Sequence, residues 1–313
     1  MLSINDERFV HEFDIKTATV GQIGYGYIGK AVEALFIDKC KVVVYDKFVP
    51  SSSLEDVLKE AQVVFIAVPT PMNKETGECH TKIIEDVLQD IQRVAIEIER
   101  DLTEFIVVIK STVPAGFTRR MQTKHALRIV FSPEFLTEAN SIKDFKLAKR
   151  VILGGDIEDA RIVYKFFAGV WPDRLPETFD GHPAGPVVIA QCDVEVAEMV
   201  KLTTNALLMT RVLFMNEIYQ ICKKLGVNYE EVSLLTCLDP RINPSHMKVP
   251  GPDGQLGAGG SCFIKDIHNL RCITKSLGIE EKLFTAVIEK NEQVRPAKDW
   301  EQLVGRAIID TKK

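Results

Sequence analysis

The 313-residue sequence has no CxxC pair, no HExxH or comparable histidine spacing, no long block of lysine or arginine, no internal repeat and no low-complexity segment. It also lacks any apolar run approaching the roughly 18 residues a membrane span needs. Each absence excludes something. Seven cysteines (Cys40, Cys79, Cys192, Cys222, Cys237, Cys262, Cys272) scattered without pattern argue against a disulfide framework and for a reducing, cytoplasmic compartment. Six histidines lying far apart predict no structural metal. The stretch from Met1 to Lys16 mixes charged and apolar residues without an apolar core, so it reads as a short extension and not a signal peptide. With 39 basic against 44 acidic residues, the formal charge of −5 makes nucleic acid and anionic membranes unexpected partners. What remains is an ordinary globular composition, 46% apolar and 27% charged, in a chain long enough for about two domains.

The first informative stretch is Thr17 to Ile23, an apolar run that reads as a buried strand and leads straight into Gly24-Tyr25-Gly26-Tyr27-Ile28-Gly29 and a helical run, Lys30 to Asp38. A second strand, Lys41 to Tyr45, ends at Asp46. This is the dinucleotide fingerprint in its proper context. Gly24 makes the tight turn, Gly26 admits the pyrophosphate, Gly29 lets helix pack on strand, and Asp46 accepts from the ribose hydroxyls. A carboxylate there repels a 2′-phosphate, which favours NAD over NADP. Further strands are expected at Gln62 to Val68, Phe105 to Ile109, Ile129 to Phe131, Arg150 to Leu153 and Pro186 to Ile189, with helical runs such as Thr81 to Ile98 between them. In such a sheet the C-terminal strand ends meet the ligand, so Thr70 is placed to touch the cofactor; a rigid Pro-flanked turn explains it equally well. Glu134 and Glu138 are spaced to share one face if their turn is helical, although glutamates in a first turn often only complement the helix dipole. Asp180 to Pro186 reads as a loop.

From Asp193 to Leu225 the pattern changes to an uninterrupted helix, apolar on more than one face and closed by Gly226, which suggests a subunit interface. Lys201 and Asn205 sit one turn apart on it among apolar residues, where they either snorkel to solvent or meet a ligand. Tyr229 to Leu238, Ile267 to Ser276 and Glu280 to Glu292 read as further helices. The expected fold class is therefore α/β: a Rossmann-type doubly wound sheet in an NAD-binding domain, residues 1–190, followed by an all-α dimerisation domain built on one long helix, residues 191–313.

Before the last helices comes Gly259-Gly260-Ser261-Cys262-Phe263-Ile264-Lys265-Asp266. It sets a thiol, an amine and a carboxylate within five residues, behind glycines that let backbone crowd a ligand. A neighbouring ammonium favours the thiolate that attacks carbonyl carbon, and a carboxylate can take a proton from water. The residues alone leave open the plainer reading, in which Cys262 is a buried small apolar residue and Lys265 and Asp266 open the next helix.

Taken together, GYGYIG with Asp46, VPTP at Val68 to Pro71, KSTVPAG at Lys110 to Gly116, SPEFLTE at Ser132 to Glu138, Lys201 with Asn205, DPRI at Asp239 to Ile242, and GGSCFIKD resemble the nucleotide-sugar dehydrogenase family, in order and from about residue 17 to about residue 295. The resemblance implies an NAD-dependent, four-electron oxidation of a UDP-sugar, UDP-glucose to UDP-glucuronate, by a homodimer joined through its long helix. In the family a cysteine holds the intermediate aldehyde as a thiohemiacetal and then as a thioester. Carried over by position, Cys262 is that nucleophile, Lys201 and Asn205 stabilise the oxyanion, and Asp266, Thr112 and Glu138 handle water. NAD would be held by Gly24, Tyr25, Gly26, Tyr27, Ile28, Gly29 and Asp46, then by Val68, Thr70, Ser111, Thr112, Glu138 and Lys265. The sugar site would comprise Glu134, Phe135, Leu136, Glu138, Lys201, Asn205 and Gly257, with Arg241 reaching a neighbouring subunit's substrate.

The chain departs from the family in ending at Lys313, where a C-terminal nucleotide-holding domain is expected to begin. It is also short between Asp46 and Thr70, has Ile264 in place of a frequent proline, and has Ala148-Lys149 where Pro-Asp commonly precedes the arginine. Another nucleotide sugar (UDP-N-acetylmannosamine or GDP-mannose), a two-electron hydroxyacid reaction, and an inactive NAD-binding subunit remain as alternatives.

Overall fold

The structure, a computed structural model, describes residues 13–171 and 187–310. Most of the N-terminal extension and the loop expected at Asp180 to Pro186 lie outside the described residues. Along the chain run β1 (Thr19–Ile23), α1 (Tyr27–Phe36), β2 (Lys41–Tyr45), α2 (Leu54–Glu60), β3 (Val63–Ile66), β4 (Met72–Asn73), α3 (Lys82–Glu97), β5 (Ile106–Ile109), α4 (Phe117–Lys124) and β6 (Ile129–Phe131). There follow α5 (Ser141–Lys146), β7 (Arg150–Gly154), α6 (Ile157–Val170), β8 (Val188–Cys192), α7 (Val194–Leu225), α8 (Tyr229–Thr236), α9 (Cys262–Ser276), α10 (Leu283–Val294) and β9 (Ile308–Ile309).

These elements form two compact units. One holds the described residues up to Pro69 and those from Thr81 to Lys201; the other holds Thr70–His80 and those from Leu202 on. The change of sequence pattern at 190/191 marks the approach to α7, whereas the compact units divide within that helix. Its first turns belong with the sheet because Ala197 packs where a side chain on Gly154 would stand, and because the Glu198 carboxylate accepts from the amides of Gly116 and Thr118 at 2.5 and 2.8 Å, capping α4.

The first unit is a seven-stranded sheet in the order β2-β1-β3-β5-β6-β7-β8. All neighbours pair in parallel except β6 and β7, which meet antiparallel at Phe131 and Gly154. Its central strands, VVFI, IVVI and IVF, are buried at every position, as a parallel sheet covered on both faces requires. One face is packed with aromatic residues, Phe36 and Phe65 with Phe145, Phe167 and Trp171; the other is mainly aliphatic, with Ile84, Leu88, Ile91 and Ala95 of α3 recurring at helical spacing. The strands β2, β3, β5 and β6 fall within the runs that the apolar pattern predicts.

The second unit is helical around Leu202, Ala206, Met209 and Leu213 of α7 and Ile264, Ile267 and Leu270 of α9. It is not wholly α, because β4 and β9 pair in parallel. At 32 residues α7 is roughly 48 Å long. Gly226 takes φ +70° and the Val227 amide donates to the Cys222 carbonyl at 3.0 Å, the left-handed closure that its glycine predicts. Among the described residues, no helix is long and apolar enough to cross a membrane.

Candidate active site

The glycine loop follows β1. Gly24 has φ +85°, and a side chain there would strike the Ala67 carbonyl at 2.6 Å; one on Gly29 would meet the Gly24 carbonyl at 2.1 Å. Gly26 differs, since a Cβ built on it meets nothing within 4 Å. It is the residue before α1 and supplies no side-chain cap, so that helix N-terminus faces open space, the arrangement that receives a pyrophosphate. α1 begins at Tyr27, three residues earlier than its apolar run suggests, because Gly26 takes the cap position. The Asp46 carboxylate stands at the end of β2, accepting from the amides of Tyr25 at 2.7 Å, Phe48 at 2.7 Å and Val49 at 3.1 Å. Those bonds fix it beside the loop, and each oxygen retains acceptor capacity for ribose hydroxyls. The glycine loop, the uncapped helix and the acid fit a dinucleotide. Further along the same sheet edge, the Ser111 hydroxyl donates to the Val68 carbonyl at 2.7 Å, and Thr112 is buried.

Also in this unit, Lys201 is 2% exposed and donates to the carbonyl and Oε1 of Glu134 at 2.7 and 2.8 Å. Glu134 Oε2 accepts from the Leu136 amide at 2.7 Å, and the Lys201 ammonium lies 5.6 Å from the Phe135 ring. Burial alone pushes a carboxyl up; here Lys201, the Leu136 amide and Lys110 outweigh it and hold Glu134 below its ordinary value. The helical face expected to carry Glu134 and Glu138 is not formed. Residues 132–137 are irregular, and only Glu138–Asn140 make a short 3-10 turn. Glu134 turns inward to Lys201, while Glu138 is exposed. The reason is electrostatic, because the ammonium and amide bonds to Glu134 bend the backbone away from helical geometry.

The second unit assembles the amine and acid of the GGSCFIKD stretch. Asp266 is 1% exposed and accepts from Asn205 Nδ2 at 2.6 Å and from Lys265 Nζ at 2.8 Å. Burial pulls the Lys265 amine down, but Asp266, with smaller contributions from Cys262 and Cys79, outweighs it and holds it above the ordinary lysine value. Cys262 is half-buried with the Ser261 hydroxyl 3.8 Å away. It is the first residue of α9, which begins five residues before the run expected from Ile267, so the thiol occupies a helix N-terminus. The two glycines of the stretch differ. Gly260 is open with φ +72°, but the space beside Gly259 is taken by the Arg295 guanidinium, 2.3 Å from where its Cβ would stand.

Of the remaining expected residues, Thr70 is buried in this unit with its carbonyl 4.0 Å from Cys79 Sγ. The buried amide of Gly257 donates to Asn216 Oδ1 at 3.0 Å. Arg241 is exposed and bound to Asp239 of its own turn at 2.5 and 2.9 Å. Among the described residues no group of three or more His, Cys, Asp or Glu is placed to hold a metal ion. Sequence reasoning gave no part to Lys110, which is 1% exposed next to Glu134, or to Cys79, which lies beside Lys265.

Residues 14–168 match the NAD binding domain, and residues 195–293 the central domain, of the UDP-glucose/GDP-mannose dehydrogenase family. UDP-glucose 6-dehydrogenase of Rickettsia bellii is 32% identical over 253 residues, 79% of this chain and 52% of that protein. UDP-glucose 6-dehydrogenase TuaD of Bacillus subtilis is 31% identical over 82% of this chain and 51% of its own length. The chain thus spans about half the length of these relatives. Among solved structures, a UDP-glucose dehydrogenase from the archaeon Pyrobaculum islandicum matches with a TM-score of 0.72 at 24% identity, covering 89% of this chain and 69% of that one. A UDP-D-ManNAc dehydrogenase from Pyrococcus horikoshii matches at 0.70 and 22%, covering 90% and 69%. At those identities the likeness speaks for the fold.

Proposed function

Because the chain belongs to the UDP-glucose/GDP-mannose dehydrogenase family, we propose that it is an NAD-dependent nucleotide-sugar dehydrogenase that takes UDP-glucose to UDP-glucuronate in two oxidations. The observation that carries this reading is the chemistry gathered at the start of α9: a thiol on the helix N-terminus, an amine held charged, and a buried carboxylate. A two-electron dehydrogenase has no use for that thiol. The family match and the relatives named UDP-glucose 6-dehydrogenase support the sugar.

Bound NAD supplies the hydride acceptor, once for the C6 alcohol and once for the C6 aldehyde after it has become tetrahedral. The proposal asks the glycine loop and Asp46 to hold it, with Val68, Thr70, Ser111 and Thr112 completing the support. Lys201, fixed by Glu134, carries the charge that balances the developing C6 oxyanion, with Asn205 beside it in sequence order on α7. Cys262 sulfur adds to the aldehyde carbon and the carbonyl oxygen becomes an alkoxide; loss of hydride then leaves a thioester. Water held by Asp266, Thr112 and Glu138 attacks the acyl carbon, a carboxylate of this set takes its proton, and the sulfur departs as thiolate. Lys265 favours the thiolate at the beginning and the end of the cycle.

The proposed assembly is a homodimer through α7. Leu207, Phe214 and Ile221 stand on it at seven-residue spacing with 66%, 62% and 49% exposure, a stripe that a second copy would cover. The Arg241 turn would then serve the partner's substrate.

The deciding experiment counts NADH formed per UDP-glucose consumed, in the parent protein and in Cys262→Ser. Two NADH in the parent, with a block after the first oxidation or a trapped adduct in the variant, is the expected result. One NADH in the parent, or full two-step turnover in Cys262→Ser, removes the mechanism. Repeating the count with UDP-N-acetylmannosamine and GDP-mannose tests the sugar.

A further inference from the structure

Lys110 is a buried cation to which neither the fingerprint nor the proposed chemistry gives a task. It directly follows β5, and its Nζ donates to Ser132 Oγ at 3.2 Å and to the Pro133 carbonyl at 3.4 Å, lying 5.1 Å from the centre of the Phe145 ring. Ser132 and Pro133 are the first residues beyond β6, and the next is Glu134, whose carbonyl and carboxylate receive Lys201. A methionine would fill this aromatic pocket without the desolvation penalty of a buried ammonium. The position holds an amine nonetheless, and both of its hydrogen bonds go to the two residues that lead into Glu134.

We propose that Lys110 is a positioning residue: by pinning Ser132 and Pro133 it sets the Glu134 carbonyl and carboxylate that aim the Lys201 ammonium. This rests on the reading of Lys201 as the group that balances the oxyanion. Among the described residues, the charged groups facing Lys110 are Glu134 and Lys201, and the cavity of about 280 Å³ that Lys110 and Glu134 border is also lined by Asp144, Lys149 and Arg150. Asp144 is engaged by the Thr137 amide and hydroxyl, and the Arg150 guanidinium lies 3.9 Å from the Phe135 ring centre. α5 and α6 contribute the apolar rings of Phe145 and Phe167. Burial pushes the Lys110 amine down to about 7, Lys201 acts in the same direction and Glu134 opposes. Near neutrality the second cation beside Glu134 therefore comes and goes with pH. When it goes, Lys201 is the one cation left beside Glu134 among the described residues.

The test is Lys110→Met with Ser132→Ala as the milder companion, assayed for kcat, for KM of NAD, and across pH, with thermal unfolding alongside. Lys110→Met is expected to lower kcat about 10- to 100-fold with an unchanged KM for NAD, and to abolish a step near pH 7 in the parent's kcat profile. Ser132→Ala is expected to lower kcat less and to keep the step. Parental kcat and pH profile in Lys110→Met overturn the proposal, and so does a loss of kcat that only tracks lost thermal stability and NAD affinity. Should Lys110→Met fail to fold, unchanged kcat in Ser132→Ala overturns it. If the parent oxidises no nucleotide sugar, the functional reading has failed separately, and side-chain NMR of labelled lysines decides. Lys201 resonances are expected to move as Lys110 titrates and to stay still over that range in Lys110→Met; a Lys201 indifferent to Lys110 overturns the positioning role.

Discussion

Lys110 in the sheet unit and Lys265 in the helical unit are both amines taken largely out of water, and they are driven in opposite directions. Lys110, 1% exposed, is pushed down to about 7, whereas Lys265, with 12% of its side chain exposed, is held above the ordinary lysine value. Burial is the largest influence on both. The difference lies in what else is near. Lys265 has Asp266 at 2.8 Å with two thiols around it, while Lys110 is offered a hydroxyl and a carbonyl, and the one carboxylate in its neighbourhood is already engaged by Lys201. A buried lysine is thus a point charge or a near-neutral donor according to whether a carboxylate is its own or shared. The proposed two-step oxidation asks for the first kind beside the Cys262 sulfur and gives the second no part in the chemistry itself.

The comparison breaks most sharply at Asp266. Asp266→Asn keeps the shape and the bond to Asn205 but removes the only carboxylate that Lys265 touches among the described residues. Lys265 would then resemble Lys110. Stability at neutral pH is expected to fall by about 3 kcal/mol, the usual cost of leaving one half of a buried pair, as measured by denaturant unfolding. The Lys265 side-chain resonance should titrate below the ordinary lysine range. An amine that stays high in Asp266→Asn would mean that the thiols alone hold it.

A smaller effect tests the other half. An unfolded lysine ionises near 10.5 and Lys110 near about 7, so between those values the unfolded chain binds the extra proton. Raising the pH removes that advantage, and the Lys110 contribution to stability is flat below 7 and increasingly favourable above it. Between pH 7 and 9 it should amount to roughly 2 kcal/mol, and it should vanish from the pH dependence of Lys110→Met. Equal slopes for parent and variant would show that the amine stays charged.

The contrast between these lysines also explains which parts of the molecule were legible in sequence. Strand positions, the turn at Gly24 and the acid at Asp46 follow from local pattern, since an apolar run, a glycine spacing and a strand end are all written in adjacent residues. Lys110 stood in a quoted motif yet drew no role, because the feature that gives it one, the Ser132–Pro133 turn, lies more than twenty residues on. Glu134 and Glu138 were expected on a helical face because their spacing permits one; Lys201, far along the chain, settles the conformation instead. Gly259 reads as an opening for a ligand until Arg295 is seen to fill it. The start of α9 at Cys262 was hidden by the glycines before it, which suggest that the loop continues. In each case the missing information is a charged or polar side chain arriving from a remote segment, which periodicity cannot report.

The smallest expected effect separates the two sulfurs around Lys265. Burial pushes the Cys79 thiol up to about 11, with Lys265 pulling the other way, so at neutral pH it carries no charge and gives Lys265 little electrostatic help. Cys79→Ala should therefore leave the Lys265 titration in place and cost about 1 kcal/mol, the loss of one buried sulfur from its contacts. Turnover should also survive, in contrast to Cys262→Ser, because of the two sulfurs the proposed mechanism uses only Cys262, at the start of α9. A variant at Cys79 that lowers the Lys265 amine as far as Asp266→Asn does would show that this sulfur is ionised in the folded protein. The opposing behaviour of the two buried amines would then have to be credited to a pair of thiolates and not to one carboxylate.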